Sequence, residues 1–335
     1  MADLSEEIRM RASKALQFLF EMSEKYIKPE NPLRKAALHY PKGGGKGFRP
    51  AMLMLTCGAV GGNEDEAIPA AAAIEALHVS SLIHDDFMDN DETRRGITSV
   101  WKQWNPTIAI LAGDVLVGLA FRLVSKLKGL DDHIVREILS GLALKYTELC
   151  HGQMLDIGFT ERPIETITVE DVQEMQYLKT GVLFEFCCVS GAQIGMRKLE
   201  HPWIDAIRNF AKKAGTAFQI QDDILGIVED SSKTGKPQFS DLREGKRTII
   251  AVHAFNNASE EQKATLRKYF GNHSATQDEL TKIFEVFKEV GSIDYAKSLA
   301  LDLAKSALND LNELPDSENK KILEEFALLM ISREF

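Results

Sequence analysis

Apolar residues recur at helical spacing along almost the whole chain, and this pattern predicts an all-α fold. Ile8, Leu16, Leu19 and Phe20 show such spacing near the start of the chain. No stretch of alternating Val, Ile and Thr is long enough to predict a β-strand. The sequence therefore favours helices packed against helices.

Clusters of Pro, Gly and Asn interrupt the apolar pattern and predict the ends of the helices. The predicted breaks are Pro29–Pro32, Pro41–Gly47, Gly61–Asn63, Asn90–Thr98, Asn105-Pro106, Thr160–Pro163, His201-Pro202, Ser231–Ser240 and Gly271–Ser274. About a dozen helices lie between these breaks, and five of them exceed the mean helix length of about 11–12 residues. The five long predicted helices cover residues 65–89, 107–128, 132–157, 170–199 and 203–229.

Long helices joined by short loops are typical of one large bundle whose sites lie on facing helices. At about 150 residues per domain, a length of 335 residues would suggest two domains. Because nothing in the sequence resembles a linker between domains, we predict instead a single domain over residues 1–335.

Composition and charge narrow the classes of partner. The chain has 50 Asp and Glu against 40 Lys and Arg, a formal net charge of −10, which argues against a nucleic-acid partner. Its 44% hydrophobic and 27% charged residues are close to the globular average and exclude a disordered chain. An acidic protein can still bind a small anion if cations lie between the two.

The cysteines and the apolar segments indicate where in the cell the protein is expected. The cysteines are Cys57, Cys150, Cys187 and Cys188. They form no C-x-x-C pair, which favours a reduced protein in the cytoplasm. The start of the chain, Met1 to Glu7, is acidic where a signal peptide would be basic and then apolar. The longest apolar run, Ile108 to Ala120, is interrupted by Asp114, so we predict no integral membrane segment.

Three aspartates end an otherwise apolar predicted helix. Asp85 and Asp89 are four residues apart and therefore lie on one helix face, whereas Asp86 is rotated away. Like charges at this spacing destabilise a helix, and Asp near a helix C-terminus also opposes the helix dipole. A divalent cation relieves both penalties, and Mg²⁺ typically takes one or two carboxylates together with phosphate oxygens.

A second acidic pair, Asp222-Asp223, follows another apolar segment much later in the chain. A single cluster of this kind is more often a solvated helix end than a site. Two clusters with apolar neighbours on both sides favour metal binding. They can act together only if their helices face each other.

Basic residues follow both acidic clusters, and two more lie in a glycine-rich loop earlier in the chain. They occur in the segments Arg94-Arg95, Lys233–Lys236, Gly245–Arg247 and Gly43–Pro50. Glycines let backbone N–H groups approach an anion, and Lys and Arg hold phosphate oxygens. The spacing of the loop is not that of a Walker motif.

Eight short motifs stand in an order that resembles one family along nearly the whole chain. They are Gly44-Gly45-Lys46-Gly47-Phe48-Arg49-Pro50, Glu75-Ala76-Leu77-His78, Asp85-Asp86-Phe87-Met88-Asp89 with Arg94-Arg95-Gly96, Leu111-Ala112-Gly113-Asp114, Gly152-Gln153-x-x-Asp156, Lys179-Thr180-Gly181, Phe218-Gln219-x-x-Asp222-Asp223 and Thr234-Gly235-Lys236. This order resembles the trans-isoprenyl diphosphate synthases, the polyprenyl synthetase family. The resemblance implies a single all-α bundle of the isoprenoid synthase type with a central active-site cavity.

The resemblance also implies a reaction, a cofactor and an assembly. Members join an allylic diphosphate to isopentenyl diphosphate, head to tail, by ionisation, condensation and elimination. They use Mg²⁺, three ions in each active site, and form homodimers. Departing diphosphate is the usual proton acceptor, so no side chain is assigned as a general base.

Roles carry over from the family to the matching positions. The metal ligands and their neighbours are implied to be Asp85, Asp89, Asp222, Asp86 and Asp223, with a water-mediated contact from Asp156. The allylic diphosphate is implied to contact Arg94, Lys179, Lys236 and Lys246. Isopentenyl diphosphate is implied to contact Lys46, Arg49, His78 and Arg95, with Phe218 near its hydrocarbon part. The catalytic dipoles that stabilise the allylic cation are implied to be those of Lys179, Thr180 and Gln219.

The residues before the first motif bear on product length. Ser80, five residues before Asp85, stands where relatives with short products often carry Phe or Tyr as a floor. With Ser80 and Ser81 both small, Leu77 and Ile74 lie further down the helix as alternative stops. We therefore expect a product of at least twenty carbons, with geranylgeranyl diphosphate first and products of twenty-five or thirty carbons as alternatives. The alternative interpretation of these serines is a pair of small residues at a helix–helix contact.

One motif departs from the family pattern. The second aspartate motif ends in Gly226 where many members have a third Asp.

Two other functions compete with that of a prenyl diphosphate synthase. A class I terpene cyclase would carry Ser or Thr in place of Gly226 and Glu in place of Asp230, so this chain does not fit the cyclase pattern. A non-catalytic subunit of a synthase would have lost motif residues that this chain retains.

Overall fold

The computed structural model describes residues 4–28, 30–228 and 239–332, and this part of the chain is mostly helical with very little strand, which confirms the all-α prediction. The first helices are α1 (Leu4–Tyr26), α2 (Pro32–Ala37), α3 (His39–Gly43) and α4 (Phe48–Ala59). A 3₁₀ turn (Glu64–Ala67) leads into α5 (Ile68–Met88), followed by α6 (Val100–Gln103), α7 (Pro106–Val124) and α8 (Asp132–Glu161). Next come a 3₁₀ turn (Ile164–Thr166), α9 (Val169–Gln176), a π-helical turn (Tyr177–Gly181), α10 (Val182–Met196) and α11 (Pro202–Val228). The last helices are α12 (Ser240–Glu244), α13 (Ile249–Asn257), α14 (Glu260–Tyr269), α15 (Gln277–Glu289), α16 (Ser292–Asp310), a 3₁₀ turn (Leu311–Glu313) and α17 (Glu318–Ser332).

Helix starts follow the predicted breaks because local capping chemistry decides them. The Asn105 side chain accepts a hydrogen bond from the backbone N–H of Ile108 at 2.9 Å, and Pro106 takes the first helical position of α7. Thr168 caps α9 in a capping box with Asp171. The predicted break at Ser231–Ser240 falls largely on residues outside the described part of the chain.

Two local features differ from the prediction. The loop after the first aspartate motif forms a small antiparallel hairpin of β1 (Thr93–Arg94) and β2 (Ile97–Thr98), although the sequence predicts no strand. The helix predicted over 170–199 is interrupted by the π-helical turn Tyr177–Gly181. The hairpin could not be predicted from the sequence, because strands of two residues are too short to show an alternation of apolar and polar positions. The π turn could not be predicted either, because the helices on both sides of it keep their usual apolar spacing.

The chain divides into two compact units, each built from separate segments. The first unit comprises Met1–Tyr146, Leu183–Asn209 and Asp310–Phe326. The second comprises Thr147–Val182, Phe210–Asn309 and Ala327–Phe335. The single domain over residues 1–335 stays a prediction, as does the central cavity.

Each unit has its own apolar core. In the first unit Met52, Leu53 and Leu77 are fully buried. In the second unit Ile249 and Phe287 belong to a continuous buried cluster. Burial of such side chains supplies the main favourable term in the free energy of folding.

Two helices of the described chain, Glu64–Met88 and Pro106–Val124, are long and apolar enough to cross a membrane by length and composition. In the first of them, 72% of the apolar window is buried within the protein, as in a core helix. One or two such helices are weak evidence for a membrane span, so the absence of a membrane segment stays a prediction.

Candidate active site

The C-terminal end of α5 carries the first aspartate motif. Asp85 is half-buried and Asp89 is exposed, and the backbone N–H of Asp89 donates to the carbonyl of Asp85 at 2.8 Å. The helical spacing that places these two carboxylates on one face is therefore present. Asp86, rotated away from that face, is completely buried.

Asp86 is held by side chains from two other elements. Arg94 Nε donates to Asp86 Oδ1 at 2.5 Å, and the Tyr40 hydroxyl donates to Asp86 Oδ2. Tyr40 in turn accepts from the backbone N–H of Val100 at 3.2 Å. Burial raises the pKa of Asp86, and the charge of Arg94 opposes this rise. Both Asp86 oxygens therefore bind protein donors.

The hairpin after the motif positions two arginines. Arg95 and Gly96 form its turn with φ of 52° and 78°, the backbone geometry of a two-residue type I′ turn. Arg95 Nη1 donates to the carbonyl oxygen of Gly44 at 2.9 Å. The hairpin is thereby tied to the glycine-rich loop.

A positively charged group lies beside a buried carboxylate on α5. Arg49 Nη1 is 3.2 Å from His78 Nε2, and Glu75 of the same helix is only 6% exposed. Burial raises the pKa of Glu75, and the charges of Arg49 and Arg95 oppose the rise. Burial lowers the pKa of His78 well below its ordinary value, and the neighbouring arginines lower it further. This group has the charge and the donors to bind a diphosphate.

The other residues predicted to bind isopentenyl diphosphate lie in different surroundings. Lys46 is exposed in the glycine-rich loop, and its Nζ is 5.7 Å from the centroid of the Phe48 ring. Phe218 belongs to the second unit, on α11, and is 9% exposed.

The predicted chain-length residues lie on α5 before the motif. Ser80 is fully buried, and its hydroxyl has no hydrogen-bond partner among the residues that the structure describes. Ser81 Oγ instead donates to the carbonyl of His78 at 2.8 Å. Leu77 is fully buried one turn before Ser81.

In the second unit, Lys179 and Thr180 lie within the π-helical turn. Lys179 Nζ donates to Asp156 Oδ2 at 2.5 Å. Gly152 of α8 packs so closely against this turn that a Cβ there would lie 2.2 Å from the backbone nitrogen of Lys179. The glycine allows the backbone at Leu178 and Lys179 to lie directly against α8, where a larger side chain at position 152 would not fit.

The second aspartate motif lies near the end of α11 and contains a carboxyl group with a strongly altered pKa. Gln176 Nε2 donates to Asp223 Oδ2 at 2.7 Å, and Gln219 Nε2 donates to Asp223 Oδ1 at 3.4 Å. Burial raises the pKa of Asp223 well above its ordinary value, and the charges of Asp241 and Asp222 raise it further. Concentrated negative charge of this kind favours a bound cation.

Lys246 pairs with two carboxylates of α12, the short helix that precedes it. Its Nζ lies 2.9 Å from Asp241 Oδ1 and 3.2 Å from Glu244 Oε2. Burial lowers the pKa of Lys246, but these two carboxylates outweigh that effect and raise it overall. Lys236, the other predicted diphosphate ligand of this segment, lies outside the described residues.

The donor set fits a hard divalent cation that also binds a diphosphate. Within residues 4–28, 30–228 and 239–332, no group of three or more His, Cys, Asp or Glu side chains is arranged to hold a metal ion. The candidate donors in each unit are carboxylate oxygens, which suit Mg²⁺ when phosphate oxygens and water complete its coordination.

Three residues that contact or neighbour the predicted site residues are not assigned a role by the sequence analysis. Tyr40 and Gln176 hold motif aspartates from positions distant in sequence, which no local pattern could indicate. Glu75 could have been found, because it stands three residues before His78 in a motif, which places both on one helix face.

Comparison with known proteins gives a family match. The model of the family described as "Polyprenyl synthetase" matches residues 30–287. A short chain isoprenyl diphosphate synthase of Methanothermobacter thermautotrophicus is 39% identical over 308 residues, 92% of this chain and 92% of that protein. A geranylgeranyl diphosphate synthase of Methanosarcina mazei is 36% identical over 332 residues, 99% of this chain and 98% of that protein.

A solved structure is also similar over almost its whole length. The crystal structure of geranylgeranyl pyrophosphate synthetase from Pyrococcus horikoshii superposes with a TM-score of 0.91 at 38% identity. The match covers 99% of this chain and 98% of that one. The predicted isoprenoid synthase fold is thereby confirmed.

Proposed function

Because the chain belongs to the polyprenyl synthetase family and is a prenyltransferase, we propose that it condenses isopentenyl diphosphate with an allylic diphosphate, head to tail. The product is an all-trans prenyl diphosphate, geranylgeranyl diphosphate foremost. The observation that carries this proposal is that α5 contributes both to a basic group suited to a diphosphate and, further along, to a carboxylate motif suited to a metal ion. His78 lies with Arg49 and Arg95 in a group suited to an anion, and Asp85 lies about 10 Å further along the helix axis.

Asp85, Asp89 and Asp222 are assigned to Mg²⁺, which members of the family generally use. When bound with the diphosphate, Mg²⁺ stabilises negative charge on the leaving group as a Lewis acid. Asp86 and Asp223 act beside these ligands. The bonds from Tyr40 and Arg94 support this assignment for Asp86, because they engage both of its carboxylate oxygens.

The chemistry follows from where charge develops. The allylic C–O bond breaks, and its electron pair leaves with the diphosphate, whose charge Arg94, Lys179, Lys236 and Lys246 balance. The double bond of isopentenyl diphosphate attacks the allylic cation and forms the new C–C bond. The departing diphosphate takes the proton released on elimination. Backbone and side-chain dipoles of Lys179, Thr180 and Gln219 face the cation.

Isopentenyl diphosphate is assigned to Lys46, Arg49, His78 and Arg95, with Phe218 near its hydrocarbon part. The lowered pKa of His78 keeps its imidazole neutral near pH 7, so it acts as a hydrogen-bonding group while the arginines supply charge.

A product of twenty carbons is supported by the small residues on α5. Ser80 offers no bulky side chain to stop a growing chain, and Leu77 and Ile74 lie one and two turns further down. Products of twenty-five or thirty carbons are the alternatives, since the same helix could stop a longer chain at a lower turn.

A homodimer in the cytoplasm completes the proposal. Large apolar side chains are exposed on α7 and α8: Ile110 (44%), Leu111 (46%), Leu144 (56%) and Met154 (67%). Large exposed apolar side chains are the candidates for contacts with a second copy of the chain. All four cysteines are free thiols, as expected in a reducing compartment.

The reaction is tested with purified protein, labelled isopentenyl diphosphate and Mg²⁺, with dimethylallyl, geranyl and farnesyl diphosphates as primers in separate reactions. Labelled prenyl products are expected in the organic extract, and chromatography after dephosphorylation resolves their lengths. EDTA in excess over Mg²⁺ should abolish the product. No label in the extract with any primer would refute the enzyme proposal and favour a non-catalytic subunit.

A further inference from the structure

The second aspartate motif lacks a carboxylate at its last position, and another element brings one there. A Cβ placed on Gly226 of α11 would lie 2.8 Å from Oδ2 and 3.6 Å from Cγ of Asp241, which belongs to α12. Of the described residues, no other element contributes an atom within 4 Å of that Cβ. The space that a side chain at position 226 would fill is therefore occupied by the Asp241 carboxylate.

The Asp241 carboxylate is fixed in this orientation. Its Oδ1 accepts from Lys246 Nζ at 2.9 Å, and its backbone carbonyl accepts from the Lys246 N–H at 3.0 Å. The side chain of Asp241 is 14% exposed. One oxygen therefore points to the lysine and the other to Gly226.

A buried amide beside the same motif supplies an independent observation. Gln176 is 4% exposed, and its Nε2 donates to Asp223. Its Oε1 has no hydrogen-bond partner in the part of the chain that the structure describes. A buried acceptor without a donor is costly, and water bound to a metal ion is a donor of the kind it lacks.

We propose that Asp241 supplies the third carboxylate of the second aspartate motif, in the space that an aspartate at position 226 would fill, and so supports the metal–diphosphate complex. The inference rests on the proposed function, since it names a further residue of the same site. Placing this carboxylate on α12 avoids a like charge four residues after Asp222 on one helix. It also pairs the carboxylate with Lys246.

The direct test measures metal binding apart from catalysis. Mn²⁺ replaces Mg²⁺ as a spectroscopic probe, and electron paramagnetic resonance follows its binding to the protein in the presence of inorganic diphosphate. Because losing a group that supports a metal ligand typically weakens binding 10- to 100-fold, Asp241→Asn should raise the Mn²⁺ Kd at least about tenfold. An unchanged Kd overturns the inference.

A second variant leaves Asp241 in the sequence and displaces only its carboxylate. Gly226→Ala adds a Cβ that, among the described residues, meets only the Asp241 carboxylate, so it should displace that group and weaken Mn²⁺ binding severalfold. It should also raise the unfolding temperature, because Ala favours a helix over Gly. Gly158→Ala, on α8 with open space around the new Cβ, is the matched control and should raise the unfolding temperature alone. Equal Mn²⁺ binding by the two variants contradicts the inference.

A double variant tests whether the carboxylate can be moved. Asp241→Ala with Gly226→Asp should bind Mn²⁺ and diphosphate more tightly than Asp241→Ala alone, and no recovery counts against the inference. Product formation by the unchanged protein is measured in parallel. Its absence means that the proposed function has failed, whereas product formation with unaltered Mn²⁺ binding by Asp241→Asn means that this inference alone has failed.

Discussion

The aspartates of the first motif differ in their surroundings, and this difference separates their roles. Asp89 is exposed at the helix end and can meet a solvated cation, whereas Asp86 is buried between Tyr40 and Arg94. A buried carboxylate with both oxygens bound by protein donors orients its neighbours. The expected effect of losing these bonds is a displaced Arg94.

Tyr40→Phe tests this role. The change removes a donor to Asp86 and an acceptor for the Val100 N–H, so the free energy of unfolding should fall by about 1 to 3 kcal/mol. The KM for the allylic diphosphate should rise while the KM for isopentenyl diphosphate stays constant, because Arg94 is assigned to the former. Urea unfolding and steady-state kinetics measure the two effects. Equal changes in both KM values would contradict the assignment.

Ser80→Phe should shorten the product by at least one five-carbon unit, because the ring would stand beside the growing chain on α5. Chromatography of the dephosphorylated products measures the length. Ser80→Ala keeps the residue small and should leave the product unchanged. The floor argument fails if the two variants yield the same products as the unchanged protein.

We expect His78 to make the free energy of unfolding depend on pH. An unfolded histidine takes up a proton near pH 6.5, but burial and adjacent arginines hold the pKa of folded His78 well below that value. The unfolded state therefore binds more protons as the pH falls through about 6.5, and stability is lost in that direction, by at most about 1.4 kcal/mol per pH unit for one proton. His78→Gln should flatten the dependence in urea unfolding between about pH 5 and 8. A slope that is the same with and without His78 would show that other groups cause it.

At the scale of an element, the π-helical turn Tyr177–Gly181 is a local departure from the regular helix that the sequence predicts over 170–199. A π turn widens a helix by one residue, and it lies where Gly152 of α8 leaves room for the backbone of Lys179. The close approach of this turn to α8 therefore requires glycine at position 152.

Gly152→Ala should disturb this arrangement, because its Cβ would lie 2.2 Å from a backbone nitrogen. Overpacking of this kind costs about 1–3 kcal/mol, and displacement of Lys179 and Thr180 should lower kcat at least about tenfold. Gly158→Ala on the same helix meets open space and should keep its activity. Thermal unfolding and single-turnover rates compare the two variants, and similar rates would exclude a role for this contact.

At the scale of the whole molecule, the proposed dimer makes a prediction about mass. Met154→Glu places a charge at the most exposed of the apolar side chains proposed for the interface and should halve the mass measured by light scattering, because burying an unpaired charge in an interface is costly. Met10→Glu, which alters an exposed methionine of α1, should leave the mass unchanged. A dimer that survives the change at Met154 would assign the interface to another surface.

The net charge of −10 and the anionic substrate are reconciled by where the charges lie. Arg49, Arg94 and Arg95 gather in the first unit near His78, and Lys179 and Lys246 lie in the second. A bulk charge predicts the class of partner, but the binding of a diphosphate depends on a few cations at fixed positions.

The sequence by itself determined what depends on neighbouring residues. Helix spacing, caps such as Asn105, and the placement of Asp85 and Asp89 on one face follow from interactions within a few positions, and the order of the motifs indicates the family. Tertiary structure alone decided the contacts between distant segments: Tyr40 on Asp86, Gly152 against the π turn, and Asp241 beside Gly226. No local pattern encodes these contacts, because packing between elements brings their partners together.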